Sequence, residues 1–130
     1  MAITSLHLNK EKTIATITIC SPKNLNALTS ILANELISHL ANLNILETLK
    51  VLIIKSSVSK AFCCGANIKE FKGNTYSQRI LAGNYLRNLQ IAFQEFNKVI
   101  IMAVNGIALG GGFELALMGD LILALSLIHI

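Results

Sequence analysis

Charge is scarce in this sequence of 130 residues, and it is scattered along the chain. Charged residues make up 14% of the chain and hydrophobic residues 53%, which excludes a disordered segment and indicates a buried core. The formal net charge of +4 comes from isolated lysines and not from a dense basic run, so we expect no nucleic-acid partner. At this length the chain forms at most one domain.

The sequence also lacks any metal-ligand spacing. Its cysteines and histidines are Cys20, Cys63, Cys64, His7, His39 and His129. An odd number of cysteines, two of them adjacent, is typical of free thiols in a reducing compartment and not of disulfides. The N-terminus has neither a signal peptide nor a presequence pattern. We therefore expect no metal ion and an intracellular location, in the mitochondrial matrix or the cytoplasm.

One long apolar stretch, Val99–Ile130, carries only two charged residues, Glu114 and Asp120. Its length is sufficient for a membrane-spanning helix. The two acids would then lie deep in the bilayer, however, and the glycines between Gly106 and Gly112 would weaken such a helix. We therefore expect no membrane span.

The N-terminal third of the sequence predicts a hairpin followed by a helix. Polar and apolar residues alternate in Thr13–Ile19, and Ser5–Leu8 precedes them across a polar turn, which is typical of two antiparallel strands. Apolar residues then recur at helical spacing from Leu28 to Leu43, Ile31 among them, with Thr29 or Ser30 available as the N-cap.

The remainder alternates between strands and helices. Lys50–Lys55 and Val99–Val104 are short apolar runs of the kind found in strands buried on both faces. Between them, Tyr76–Phe96 has apolar residues at helical spacing, including Ile80, Leu81 and Ile91. This order predicts an α/β fold with a parallel sheet covered by helices on both sides.

Three consecutive glycines, Gly110–Gly112, follow the second apolar run and precede a single carboxylate, Glu114. Without Cβ atoms the backbone N–H groups can approach a ligand closely, and the start of a helix favours negative charge there. The neighbours Phe113, Leu115 and Leu117 predict a desolvated setting for Glu114, as is typical of catalytic carboxylates. A flexible turn with a carboxylate near a helix start is the alternative.

Two glycine-containing loops, Ser56–Gly65 and Asn105–Gly112, follow the two apolar strands. In open α/β sheets, ligands bind beyond the carboxyl ends of the strands. If the two strands are neighbours, the N–H groups of Ala66 and Gly111 can converge on one oxygen atom as an oxyanion hole. Ordinary strand exits would have the same spacing, so both interpretations remain open at this point.

Three blocks of the sequence resemble, in order and separation, the signatures of the crotonase, or enoyl-CoA hydratase/isomerase, superfamily. They are PKNLNAL (Pro22–Leu28), AFCCGANIKEF (Ala61–Phe71) and AVNGIALGGGFELALMGDLILA (Ala103–Ala124). The resemblance is strongest to enoyl-CoA hydratases. It implies a spiral of ββα units, of which residues 1–130 form an incomplete, N-terminal part, and we expect residues 125–130 to be a non-native tail.

The resemblance also implies an acyl-CoA thioester substrate, with CoA as part of the substrate and no separate cofactor. Carried over by position, the oxyanion-hole donors are the backbone N–H groups of Ala66 and Gly111, and Glu114 matches the first of two catalytic glutamates. The substrate-binding positions that it implies are Ala61, Phe62, Gly65, Ala66, Asn67, Ile68, Lys69, Gly110 and Gly111. A homo-oligomer, a trimer or a dimer of trimers, is implied for the full-length protein.

The leading functional hypothesis is an enoyl-CoA hydratase, with this chain as an inactive fragment that lacks the second glutamate. An enoyl-CoA isomerase, or another CoA-ester enzyme of the superfamily, is the alternative within the family. A truncated acyl-CoA-binding stub without catalysis is the alternative outside enzymes. The sequence departs from the family pattern at Asn67, where an aspartate is usual, and we expect this change to alter the hydrogen bonds of its loop.

Overall fold

A computed structural model describes residues 1–72 and 75–125, without the side chains of residues 79, 81 and 82. The described residues form the strands β1 (Thr4–Leu8), β2 (Ile14–Ile19), β3 (Val51–Ser56), β4 (Ala61–Cys63), β5 (Val99–Val104), β6 (Ile107–Ala108) and β7 (Leu121–Ala124). The helices are α1 (Ser30–Asn44), α2 (Tyr76–Glu95) and α3 (Gly111–Leu117). Short 3-10 helices cover Pro22–Asn24 and Ile68–Phe71.

The main sheet has five strands in the order β1-β2-β3-β5-β7. Strands β1 and β2 form the predicted antiparallel hairpin, and the other pairs in this sheet are parallel. Strands β3 and β5 are direct neighbours, with Val51 opposite Val99 and Lys55 opposite Ala103. The predicted α/β fold with a parallel sheet is therefore confirmed, and the loops that follow β3 and β5 leave the sheet side by side.

Only one face of this sheet is fully buried. Ile17, Leu52, Ile54 and Met102 point into a core shared with residues of α1 and α2. The alternate residues lie on the opposite face, where Ile53 and its neighbours are half-buried and Lys55 is exposed. The expectation of strands buried on both faces is therefore wrong for the described residues. Apolar residues occupy both sets of positions in these strands, and such a run does not reveal which face is covered.

Helix α1 begins at one of the two predicted caps, and α2 begins at a threonine that was not predicted as a cap. The Thr29 hydroxyl accepts a hydrogen bond from the N–H of Leu32 (3.1 Å), and Thr75 forms a reciprocal capping box with Gln78. Three residues assigned to the apolar stripes are exposed and correct that prediction: Ile31, Ile80 and Ile91. The side chain of Leu81 lies outside the described part of the chain.

A second, two-stranded sheet was missed by the sequence analysis. Strands β4 and β6 pair in parallel, with Ala61 opposite Ile107. Strand β7 was also missed. Strands of two to four residues are too short to show an alternating pattern. The expected non-native tail lies, apart from Leu125, outside the described residues.

The apolar stretch from Val99 onward folds as β5, β6, α3 and β7. Among the described residues, no helix is both long enough and apolar enough to cross a membrane.

Candidate active site

The loop that follows β4 orients the backbone N–H of Ala66. Leu28 donates its N–H to the carbonyl of Gly65 (2.8 Å) and accepts a hydrogen bond from the N–H of Asn67 (3.0 Å). In such a parallel bridge the intervening residue turns its own peptide groups to the other side. The Ala66 N–H therefore points away from Leu28, and no described residue accepts a hydrogen bond from it.

The loop that follows β6 leads directly into α3. Gly111 is the first residue of this helix, where backbone N–H groups have no partner within the helix. The next turn is regular, since Gly112 donates to the carbonyl of Leu109 (2.8 Å) and Glu114 to that of Gly110 (3.0 Å). Within the described ranges, the Gly111 N–H has no acceptor.

The two loops touch each other. A Cβ atom added to Gly111 would lie 3.2 Å from the backbone nitrogen of Ala66, and one added to Gly65 would lie 3.9 Å from the nitrogen of Gly111. The N–H of Leu109 also donates to the carbonyl of Cys63 (3.2 Å), which joins the two loops directly. The loops therefore meet as predicted for neighbouring strands. The two candidate donors, the N–H groups of Ala66 and Gly111, lie close together, one on each loop.

The three consecutive glycines have different structural roles. Only Gly111 lies at the contact with Ala66. A Cβ atom on Gly112 would lie 2.0 Å from the carbonyl oxygen of Cys63, so a glycine is needed there for α3 to pack against β4. Gly110 has open space around it and a φ of +49°, which is a turn conformation. At Gly112 the missing Cβ atom thus serves packing, and the N–H is already bonded to the carbonyl of Leu109, whereas ligand binding at Gly110 and Gly111 stays a prediction.

Glu114 lies one helical turn beyond Gly111 and is exposed. Leu115 is completely buried, whereas Phe113 is 37% and Leu117 57% exposed. The predicted desolvated setting for Glu114 is therefore wrong for the described residues. In the two turns of α3 only one face contacts the core, and Glu114 lies on the other face with two of its three apolar neighbours.

A depression of about 400 Å³ lies beside Glu114. Gln90 of α2 and Leu117 and Met118 at the end of α3 line it together with this carboxylate. A second depression of about 350 Å³ shares these three neighbours and reaches Asp120 at the start of β7. The outer face of α3 thus borders an open groove between α2 and the turn that precedes β7.

The substrate-binding residues implied by the resemblance fall into two groups. Ala61 and Phe62 have no exposed surface and belong to the core. Of the others, Gly65 is buried at the loop contact and the rest are half-buried or exposed: Ala66, Asn67, Ile68, Lys69, Gly110 and Gly111. Their roles in binding stay predictions.

Asn67 departs from the usual aspartate of the family. Its side-chain oxygen accepts a hydrogen bond from the N–H of Lys69 (3.2 Å) and thereby caps the short helix Ile68–Phe71. An aspartate would offer the same acceptor, so this departure preserves the local hydrogen bond.

Two polar side chains that support the Ala66 loop were not predicted. The Tyr85 hydroxyl, from α2, donates to the carbonyl of Leu28 (3.3 Å), and burial followed by the charge of Glu70 raises its pKa. Asn26 is completely buried beneath the same loop. Asn26 lies within PKNLNAL and was quoted only as part of that motif, whereas no sequence signal distinguishes Tyr85.

The cysteines and histidines do not form a metal site in the described part of the chain, where no group of three or more metal-ligating residues comes together. Cys63 is buried in the core, and this burial raises the pKa of its thiol to about 11. The Cys63 thiol is therefore protonated at neutral pH.

Proteins that bind an anion or a polarised carbonyl typically do so with backbone N–H groups that have no acceptor within the protein. The two loops of this chain provide such groups. The sequence model of the enoyl-CoA hydratase/isomerase family matches residues 9–126. The chain therefore belongs to this family, within the crotonase superfamily, as the three motifs predict.

Individual relatives support the same membership. The chain is 38% identical over 113 residues to "Enoyl-CoA hydratase domain-containing protein 2, mitochondrial" of Bos taurus, covering 87% of this chain and 38% of the relative. It is 35% identical to the "Short-chain-enoyl-CoA hydratase" of Clostridium acetobutylicum, covering 97% of this chain and 48% of the relative. The chain thus spans half or less of the length of the curated relatives that it matches.

Solved structures confirm the crotonase fold. An enoyl-CoA hydratase from Bacillus anthracis superposes with a TM-score of 0.85 at 31% identity, covering 94% of this chain and 47% of that protein. A second structure, an enoyl-CoA hydratase/carnithine racemase from Magnetospirillum magneticum, superposes with a TM-score of 0.87 at 27% identity over a similar share of both chains. The described elements correspond to part of the crotonase fold.

Proposed function

We propose that this chain carries the oxyanion-binding part of an enoyl-CoA hydratase, which adds water to the double bond of a trans-2-enoyl-CoA in fatty acid or amino acid breakdown. The observation that carries the proposal is the pair of N–H groups of Ala66 and Gly111, which lie on touching loops and have no acceptor among the described residues. Such donors stabilise an oxygen that gains negative charge, by about 3 kcal/mol each. The names of the relatives support hydration as the reaction.

In this proposal, the two N–H groups hold the thioester oxygen while it becomes enolate-like. This polarisation makes C3 of the enoyl group electrophilic and C2 basic. Glu114 then takes a proton from water as the water oxygen bonds to C3, and a second acid delivers a proton to C2. The position of Glu114, one turn after Gly111 on α3, supports its role as the base.

The exposure of Glu114 indicates that the site is incomplete in these residues alone. A carboxylate in an open groove does not exclude bulk water, and a base works best in a site that does. Because the relatives are about twice as long, we propose that the second acid comes from outside these residues and that this chain alone is inactive. We also propose that the whole protein is a homo-oligomer, a trimer or a dimer of trimers, in the mitochondrial matrix or the cytoplasm.

The same exposure favours a second candidate, in which the chain binds acyl-CoA thioesters without catalysis. An enoyl-CoA isomerase, which moves the double bond with a single base, is a further possibility because the family includes such enzymes by its name. Product analysis with crotonyl-CoA and a 3-enoyl-CoA distinguishes hydration from isomerisation.

The test uses amide NMR of the 130-residue chain with butyryl-CoA, which has a thioester carbonyl but no double bond to react. We expect the Ala66 and Gly111 amide signals to shift downfield on saturation, as hydrogen-bond donors do. Free CoA, which lacks the carbonyl, serves as the control and should leave these two signals in place. Equal responses to both compounds, or no response at either amide, would contradict an oxyanion hole at this position.

A further inference from the structure

Both polar atoms of the Asn26 side chain are hydrogen-bonded although the residue has no exposed surface. Its side-chain oxygen accepts from the N–H of Ser21 (2.6 Å). Its amide nitrogen donates to the hydroxyl of Ser56 (2.7 Å) and to the carbonyls of Phe62 (3.1 Å) and Ala61 (3.4 Å). One buried side chain thus joins the turn after β2, the end of β3 and the first two residues of β4.

The backbone at this position is held in an unusual conformation. Leu25 and Asn26 have φ angles of +52° and +55°. This is the left-handed region, which glycine and asparagine adopt readily and which costs free energy for a residue such as leucine. Such conformations persist where the surrounding contacts determine them, and they are frequent at functional sites. The four hydrogen bonds of the Asn26 side chain are contacts of this kind.

The segment held in this way is the one that lies along the Ala66 loop. Leu25 accepts a hydrogen bond from the N–H of Cys64 (3.2 Å), and Leu28 bonds to both Gly65 and Asn67. Residues 25–28 therefore act as a template for residues 64–67. The direction of the Ala66 N–H follows from this template, because Leu28 takes the hydrogen bonds on either side of it.

We propose that Asn26 is a positioning residue that sets the direction of the Ala66 N–H, by fixing residues 25–28 against β4. This inference rests on the proposed function insofar as that N–H binds a thioester oxygen. It assigns to the PKNLNAL segment a role in the site, although no atom of Asn26 is exposed to a substrate. Asn26 acts through Leu28 and β4 and not by contact with the ligand.

The test compares Asn26→Gly with Asn9→Gly. Glycine tolerates the positive φ of Asn26, so this change deletes the side-chain amide without adding backbone strain. Asn9 is a matched control because its side chain also makes four hydrogen bonds, to Glu11, Thr13 and Ile14 in the hairpin turn. Ser56→Ala is a second variant, which keeps Asn26 and removes its shortest donor contact together with the hydrogen bonds of the Ser56 hydroxyl to Ala61 (2.8 Å) and Val58 (2.9 Å).

The first readout is the amide spectrum without ligand. We expect Asn26→Gly and Ser56→Ala to shift the signals of Cys64 and Ala66, and Asn9→Gly to leave both in place. This readout does not depend on the proposed function. If Asn26→Gly does not fold, Ser56→Ala decides the outcome, and unchanged Cys64 and Ala66 signals in a folded variant overturn the inference.

The second readout is the affinity for butyryl-CoA relative to free CoA. We expect Asn26→Gly to weaken butyryl-CoA binding about tenfold, as for one misplaced hydrogen bond, and to leave CoA binding unchanged. A residue that only stabilised the fold would weaken both equally or neither, and that result would overturn the inference. If the wild-type chain binds both compounds equally, the proposed function fails, and the ligand-free spectra still decide the role of Asn26.

Discussion

The two parts of the candidate site differ in how completely the described residues build them. Around Ala66, a buried asparagine, a bridge to Leu28 and the contact of Gly112 with Cys63 fix the backbone. Around Glu114, the neighbouring apolar side chains are exposed, and the groove beside it is open. The backbone donors are therefore preorganised within this chain, whereas the carboxylate lies on a surface that these residues leave uncovered.

The contact between α3 and β4 should be the most sensitive point of the preorganised part. A methyl group at position 112 would lie 2.0 Å from the Cys63 carbonyl oxygen, and backbone cannot move aside cheaply. We expect Gly112→Ala to lower the free energy of unfolding by at least about 3 kcal/mol, measured by urea denaturation.

Gly83, in the interior of α2, is the matched control, because a methyl group added there would have no atom within 4 Å. Gly83→Ala should raise the free energy of unfolding by about 0.5–1 kcal/mol, because alanine favours the helix. If both substitutions had the same effect, the contact of α3 with β4 would not be the tight one inferred here.

The exposed part of the site should respond in activity and not in stability. In the whole protein, Glu114→Gln should lower kcat for crotonyl-CoA hydration by about 100-fold or more, as for loss of a general base. Because Glu114 is exposed, we expect little change in the unfolding curve. Glu95→Gln, at the exposed end of α2, is the control and should leave kcat unchanged.

The 130-residue chain alone provides the counter-test of this prediction. We expect it to show no crotonyl-CoA hydration, because the proposed second acid lies outside these residues. Asp120, the other carboxylate along the groove in the described part of the chain, already accepts a hydrogen bond from the N–H of Ile100 (2.7 Å). Hydration by this chain at a rate that falls with Glu114→Gln would contradict the proposal that it is inactive.

Cys63 predicts a pH dependence for the preorganised part. Burial raises the pKa of its thiol from 9.0 to about 11, so the folded state keeps the proton that the unfolded state loses above pH 9. The stabilisation is complete below pH 9 and is lost as the pH rises towards 11. We expect the unfolding free energy to fall by roughly 2–3 kcal/mol over this range, measured by urea denaturation under reducing conditions.

Cys63→Ala should remove much of this dependence, whereas alanine in place of the exposed Cys20 should not. Part of the decline should remain in Cys63→Ala, because the pKa of Tyr85 is raised as well and contributes in the same direction. A decline that is identical in the wild type and in Cys63→Ala would show that the thiol is not responsible.

The sequence predicted the main sheet and the long helices because their apolar residues recur over many positions. The hairpin, the parallel order of β3 and β5 and the cap at Thr29 all follow from such local patterns. Strands β4, β6 and β7 were not predicted, because they are too short to show an alternation of apolar and polar residues. Whether a residue at the edge of an apolar stripe, such as Ile31, is buried depends on which other elements pack against the helix. A local pattern does not contain that information.

The candidate site was predictable where it depends on backbone and glycine, and not where it depends on distant side chains. The meeting of the loops at Ala66 and Gly111 follows from two neighbouring strands. Asn26 bonds to partners 30 to 36 residues away, and no sequence rule links those positions. Glu114 was expected to be desolvated because its sequence neighbours are apolar, yet a short helix buries only one face.

The smallest effect on stability should come from β7, the least covered element of the exposed part. All four of its residues are exposed, Leu123 by 64%, and within the described ranges its outer edge pairs with no further strand. Unpaired apolar edges favour association between chains. Leu123→Lys should therefore lower concentration-dependent self-association in sedimentation velocity and change the unfolding free energy by no more than about 0.5 kcal/mol.

Leu6→Lys is the control, because Leu6 is 38% exposed on β1 at the opposite edge of the same sheet. Strand β1 alternates its apolar residues with serine and histidine, so its edge offers a neighbouring chain less apolar surface than β7 does. We expect Leu6→Lys to leave self-association unchanged. Equal loss of association in both variants would mean that apolar exposure is spread over the sheet and is not concentrated at β7.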